Sequence, residues 1–142
     1  GVLWSLVSRK INVSGLTVSG KGILLSLIPG LVGAYSLSKE SGTYAGLILV
    51  WSFPPLLLQW GLGSQALLTS GKIWMPLWVG FTLYLCLADA FAISEGIWTI
   101  TSSTRSGIEM GILPIEEALF FALTNLFVLQ GLCLWKAWNN KG

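Results

Sequence analysis

Residues 113–135, LPIEEALFFALTNLFVLQGLCLW, form a nearly unbroken apolar run with two adjacent acids, Glu116 and Glu117, close to its start. A helix needs about 20 apolar residues to cross a ~30 Å hydrocarbon core, so this run predicts a membrane span. Upstream, residues 75–93, MPLWVGFTLYLCLADAFAI, make a second run of sufficient length, with Asp89 as its one acid. Residues 43–62 make another and contain Pro54-Pro55, while residues 22–37 are shorter and contain Pro29-Gly30, a pair able to kink a helix. The opening run from Gly1 to Val7 is too short to span and reads as the tail of a truncated preceding helix. The expectation is an all-α, polytopic transmembrane helix bundle of about four spanning helices plus that tail. Residues 1–142 then form a single membrane domain within a larger protein.

Composition agrees. Hydrophobic residues make up 54% of the chain and charged residues 10%, against about 25% charge in a typical soluble domain. Mean hydropathy is +0.75. Eight tryptophans suit rings anchored at the two faces of a bilayer. No basic run is longer than Arg9-Lys10, so there is no footprint for nucleic acid. The absence of histidine removes the commonest metal ligand and neutral-pH base, and no metal-spaced cluster is present. Cys86 and Cys133 fall in apolar runs and read as small buried hydrophobes.

All eight Lys and Arg lie outside the four runs. Arg9, Lys10, Lys21, Lys72, Lys136 and Lys141 fall on the odd-numbered flanks, and only Lys39 and Arg105 on the even ones. By the positive-inside bias the N-terminal flank and the C-terminus are cytoplasmic. The Asn12-Val13-Ser14 sequon is then on the wrong side to be glycosylated.

The six acids carry the functional information. Glu40 sits beside Lys39 in a loop, whereas Asp89, Glu95, Glu109, Glu116 and Glu117 are grouped in the second half. Asp89 lies near the exit of one span and Glu116-Glu117 near the entrance of the next, so one connecting loop brings them to the same membrane side. A carboxylate costs roughly 2.5–3.5 kcal/mol at a helix centre in the bilayer, and neighbouring carboxylates repel. Such a group suits a general acid acting on an apolar substrate. A structural reading stands beside this one, because glutamates in a first helical turn also cap the positive end of the dipole and Pro114 marks such a turn. Asp89, at the opposite end of its helix, has no such explanation. At 100° per residue Glu117 shares a stripe with Thr124 and Gly131, flanked by Phe121 and Asn125, while Glu116 shares a face with Phe120, Leu123 and Phe127. The first stripe is also a usual helix-packing surface.

The stretch from Leu113 to Phe121, followed by Thr124-Asn125-Leu126, resembles the signature of the integral-membrane lycopene cyclase domain. Ala88-Asp89-Ala90 and Glu95-Gly96-Ile97-Trp98 resemble that family's upstream motif, and the segment from Trp51 to Trp60 resembles the fungal bifunctional lycopene cyclase/phytoene synthases. The resemblance covers about residues 43–135 and implies the second of two similar half-domains. It implies redox-neutral cyclisation of the ψ ends of lycopene to β rings, an isomerase reaction in carotenoid biosynthesis. Glu116, Glu117 and Asp89 would be catalytic, and Trp98, Phe120, Phe121 and Asn125 would contact substrate. The implied partners are lycopene or a related carotenoid, the lipid bilayer, and a first cyclase half-domain in cis or trans. The implied setting is an endomembrane if the source is eukaryotic.

The residues leave alternatives. A non-catalytic carotenoid-binding or assembly module would use the glutamates as caps only. A proton pathway would spread acids through the membrane depth, whereas these gather at one end. A retinal Schiff base is disfavoured, since no Lys lies within a predicted span. No cofactor is evident: there is no phosphate loop or nucleotide fingerprint, and a flavin or nicotinamide requirement is not legible.

Overall fold

The computed structural model describes residues 16–97 and 106–139. The opening apolar run, the sequon and Trp98 lie outside the described residues, as do Arg9, Lys10, Arg105 and Lys141. The elements in order are α1 (Gly20–Ser36), a single 3-10 turn (Glu40–Gly42), α2 (Thr43–Thr69), α3 (Gly71–Ser94), the strands β1 (Glu109–Met110) and β2 (Leu113–Pro114), and α4 (Ile115–Asn139). The result is an all-α membrane bundle with one small hairpin. By length and composition α2, α3 and α4 can each cross a membrane. Helix α1, with 17 residues, is shorter than the ~20 that a full crossing takes.

Helices α1 and α2 form an antiparallel pair held by small residues. The Ser19 side chain accepts a hydrogen bond from the Gly22 N–H at 3.2 Å and caps α1. The Ser19 N–H itself donates to the Gly61 carbonyl at 2.8 Å, tying the start of α1 to the far part of α2. A methyl group at Gly22 would run into the Trp60 carbonyl, and one at Gly33 would lie 2.8 Å from the Val50 nitrogen. Buried Ser26 and Ser52 turn their hydroxyls back onto Ile23 and Leu49 carbonyls, each at 2.7 Å. Their polar atoms are therefore satisfied without holding the helices apart. Without water between them, apolar helices associate through such close backbone approach.

Helix α2 passes through Pro54 and Pro55 and departs from helical geometry at Gly63 (φ −139°, ψ 16°). Gly63 lies against the Leu134 side chain of α4, which would have to shift to admit a methyl group there. A clamp then turns the chain within one residue. The Ser70 hydroxyl donates to the Ala66 carbonyl at 2.7 Å, and the Trp74 indole N–H donates to the Leu67 carbonyl at 2.9 Å. This clamp starts α3 at Gly71, earlier than residue 75, and draws Lys72 into its first turn. Ala66, Leu67, Trp74, Cys133 and Ala137 form the buried apolar cluster at this end. Lys21, Lys72 and Lys136 sit on the helix termini that meet here, and Lys39 on the opposite end.

The surface is inverted relative to a water-soluble protein. Leu31, Phe81, Tyr84, Leu87, Phe91 and Trp135 are among the exposed large residues, while Glu116, Glu117 and Gln130 are buried. This is the pattern of a bundle that faces lipid and keeps its polar groups inside.

Gly22→Val should force the α1–α2 pair apart and cost about 1–3 kcal/mol, the usual range for overpacking. Unfolding of the purified protein in detergent measures this. Gly80→Ala, inside α3 where an added methyl group meets nothing within 4 Å, should not lower the transition, since alanine suits a helix interior better than glycine.

Candidate functional site

The end opposite the clamp gathers the carboxyl groups. Three helix segments converge there: the first turn of α2, the last turns of α3 and the first turn of α4. The local fold of the last one is set by the hairpin. Glu109 pairs with Pro114 and Met110 with Leu113, across a two-residue turn in which Gly111 has φ +70°. A positive φ at the first central position is the type II′ pattern, for which glycine is suited. The pairing places Pro114 in β2, just before the first helical residue rather than inside the helix as the sequence suggested. The Ile115 N–H donates to the Ile108 carbonyl at 3.0 Å and closes the hairpin onto the helix start.

Glu116 and Glu117 thus occupy the first turn of α4, where the dipole favours negative charge, and both are buried, at 1% and 7% exposure. Glu116 Oε1 accepts the Ser106 backbone N–H at 2.6 Å. Glu117 Oε1 accepts the Tyr44 hydroxyl, from α2, also at 2.6 Å. The charge of Glu117 reaches Asp89 on α3, and Asp89, Glu116 and Glu117 all act electrostatically on Tyr44. The Oδ2 atom of Asp89 is shielded and has no hydrogen-bond partner among the described residues. The structure therefore brings together the three acids singled out in the sequence and adds Tyr44. Sequence reasoning missed Tyr44 because its partner lies 73 residues away; its only local signal is a hydroxyl at the start of an apolar run. Glu40, Glu95 and Glu109 are exposed.

Beside the acids runs an apolar groove of about 420 Å³ between α3 and α4. Val79, Leu83 and Cys86 line one wall, Ala118, Leu119 and Ala122 the other, and Glu116 also lines it. The Trp78 indole N–H donates across the helices to the Ala122 carbonyl at 2.7 Å. Phe120 and Phe121 are not in the groove lining. They form an aromatic cluster with Trp51 and Phe127, in which the Trp51 ring lies 6.3 Å from Phe120 and 5.8 Å from Phe127, with Phe120 and Phe121 6.0 Å apart. The side-chain amide of Asn125 donates to the Thr82 hydroxyl on α3 at 3.3 Å, a contact between helices. Trp98, the remaining residue singled out, lies outside the described residues.

Fold and site together define an all-α membrane protein with a cluster of buried carboxyl groups beside an apolar groove. By sequence the chain is a homologue of the lycopene cyclases. It is 39% identical over 117 residues to the lycopene beta-cyclase of Halobacterium salinarum, an alignment covering 82% of this chain and 49% of that protein. It is 44% identical over 98 residues to the bifunctional lycopene cyclase/phytoene synthase of Phaeosphaeria nodorum, covering 66% of this chain and 16% of that one. The protein of the same name from Leptosphaeria maculans is 43% identical over 120 residues, covering 79% and 19%. The chain thus spans about half the length of the archaeal relative and under a fifth of the fungal ones. No family model and no solved structure matches it.

The Asn125–Thr82 contact makes a test of packing against ligand binding. Asn125→Leu and Thr82→Val should each lower stability in detergent by about 0.5–1.5 kcal/mol. The double variant should cost no more than the worse single one, since both remove the same bond. Independent losses would separate Asn125 from Thr82.

Proposed function

We propose that this chain is the second half-domain of a membrane lycopene beta-cyclase and carries its acid/base site. The observation that bears most weight is the placement of Glu116, a buried carboxyl group at the lining of an apolar groove, backed by Glu117 and Asp89. The names of the relatives support the substrate, and the missing half of the archaeal relative's length supports a complementary half-domain, in cis or trans.

The chemistry asked of the site is a proton in and a proton out. A proton adds to the terminal double bond of a ψ end and leaves a tertiary cation. One carbon of the neighbouring double bond attacks that cation and forms the ring bond, which leaves the charge on the other carbon of that double bond. Loss of the proton on the newly bonded ring carbon to a carboxylate of the site then leaves the β ring and restores the acid. Atoms and electrons balance without an external oxidant or reductant. An apolar groove accepts the polyene and excludes water, which would otherwise capture the cation. Glu116, facing the groove, carries the incoming proton. Glu117 and Asp89, at the back of the site, supply the compensating carboxylate charge and the route by which a proton returns.

The lysines support an orientation in this reading. Lys21, Lys72 and Lys136 share one end of the bundle, so that end is cytoplasmic and the acid site is on the other side. A carotenoid that lies within the bilayer reaches the groove from the lipid without crossing water.

The test is made in a lycopene-accumulating bacterium that expresses the full-length protein at equal membrane levels. Glu116→Gln should lower β-ring formation by about 10²-fold or more, the usual contribution of a general acid, with uncyclised lycopene recovered by chromatography. A parental rate in that variant would leave Glu116 as a helix cap. Binding of lycopene by the unmodified protein with no rings formed would favour a carotenoid-binding module.

A further inference from the structure

The acid site has a hydroxyl that the proposed chemistry does not yet use. Tyr44 stands in the first turn of α2, the Thr43–Thr69 helix, and reaches α4 to place its hydroxyl 2.6 Å from Glu117 Oε1. A phenol carries one proton, and here that proton points at a named oxygen. With Oε1 engaged, a proton carried by Glu117 itself resides on Oε2. The bond therefore fixes both the rotation of the carboxyl group and the oxygen that can exchange a proton.

The backbone beneath Tyr44 is held by the 3-10 turn before it. The Thr43 hydroxyl donates to the Glu40 carbonyl at 2.9 Å, and the Gly42 N–H to the Lys39 carbonyl at 3.0 Å. A methyl group at Gly42 would lie 2.6 Å from the Ser36 carbonyl, and one at Gly46 would lie 2.9 Å from Leu37. The chain at the end of α1, Ser36 and Leu37, thus packs closely against the turn that carries Tyr44. Such bracing is unnecessary for an exposed tyrosine and is what a side chain needs if it is to hold another group within a few tenths of an ångström.

We propose that Tyr44 is a positioning residue of the acid/base site, acting on the reaction through Glu117. The proposal rests on the cyclase reading above and extends it to a residue on a third helix. It also gives the short α1 helix a role, as the brace for the α2 start.

The experiment uses the full-length protein in liposomes containing lycopene, with Tyr44→Phe, Glu117→Gln and a control, Tyr84→Phe, whose ring is exposed at the surface of α3. Tyr44→Phe should lower kcat about tenfold or more, as expected for a lost hydrogen bond to a carboxyl group, with KM unchanged. It should also raise the solvent deuterium isotope effect on kcat, because proton transfer becomes slower relative to the other steps. A merely structural role would not change that isotope effect. Replacement of Tyr44 by a ring-fluorinated tyrosine keeps the shape of the side chain, and its rate should change with the acidity of the hydroxyl. A parental kcat and isotope effect in Tyr44→Phe, alongside an impaired Glu117→Gln, would overturn the role of Tyr44 and leave the cyclase reading standing. A parental rate in Glu117→Gln would remove the group through which Tyr44 acts and overturn the role of Tyr44, while rings formed at that rate would leave the cyclase reading standing on Glu116.

Discussion

A carboxyl group in a bilayer needs hydrogen bonds that lipid cannot supply, and the arrangement of this bundle follows from that need. Each uncompensated charge costs several kcal/mol near the membrane centre, so Glu116 and Glu117 can be buried only if donors come to them. A donor arrives from the chain before the hairpin, as the Ser106 N–H, and another from α2, as the Tyr44 hydroxyl. The hairpin sets where α4 begins, and the start of α4 sets where the acids point. Placing both at a helix N-terminus adds the favourable end of the backbone dipole at no packing cost.

The two ends of the bundle divide the work. At one end a dry cluster around Leu67, Trp74 and Cys133 locks the α2–α3 turn against α4. At the other, α3 and α4 leave a groove with small alanine side chains and a carboxyl group in its lining. Between these ends the helices are tied by single polar contacts, Trp78 to the Ala122 carbonyl and Asn125 to Thr82. The amide of Gln59 makes a third tie, to the Phe127 carbonyl at 2.9 Å. Such contacts fix the register of helices whose apolar surfaces alone would slide. The groove geometry therefore depends on bonds some distance from the acids it serves.

Much of this was legible in the sequence because a membrane makes polar residues conspicuous. Asp89, Glu116 and Glu117 stand out in apolar runs, and one loop between two spans was enough to place them on the same side. The aromatic stripe of Phe120 and Phe127 followed from helical spacing, though its partner Trp51 comes from another helix. What was not legible depends on contacts distant in sequence. Tyr44 looked like any residue at the mouth of a span, and its bond to Glu117 exists only once α2 and α4 are packed. Pro114 was read as the first helical turn because the strand pairing with Glu109 leaves no local trace. The start of α3 at Gly71 is likewise set by the Trp74 bond to Leu67, which the apolar pattern does not encode. Helical spacing already set the two glutamates on different faces, but what each face meets, the groove for Glu116 and Tyr44 for Glu117, needed the neighbouring helices.

The most direct measurement is the structure of the full-length protein in lipid nanodiscs loaded with lycopene, determined by electron cryomicroscopy. The account predicts polyene density in the groove between α3 and α4, with one end of the chain against Glu116. Lycopene seated instead on the Trp51–Phe120 face, with the groove empty or filled by a lipid tail, would contradict it.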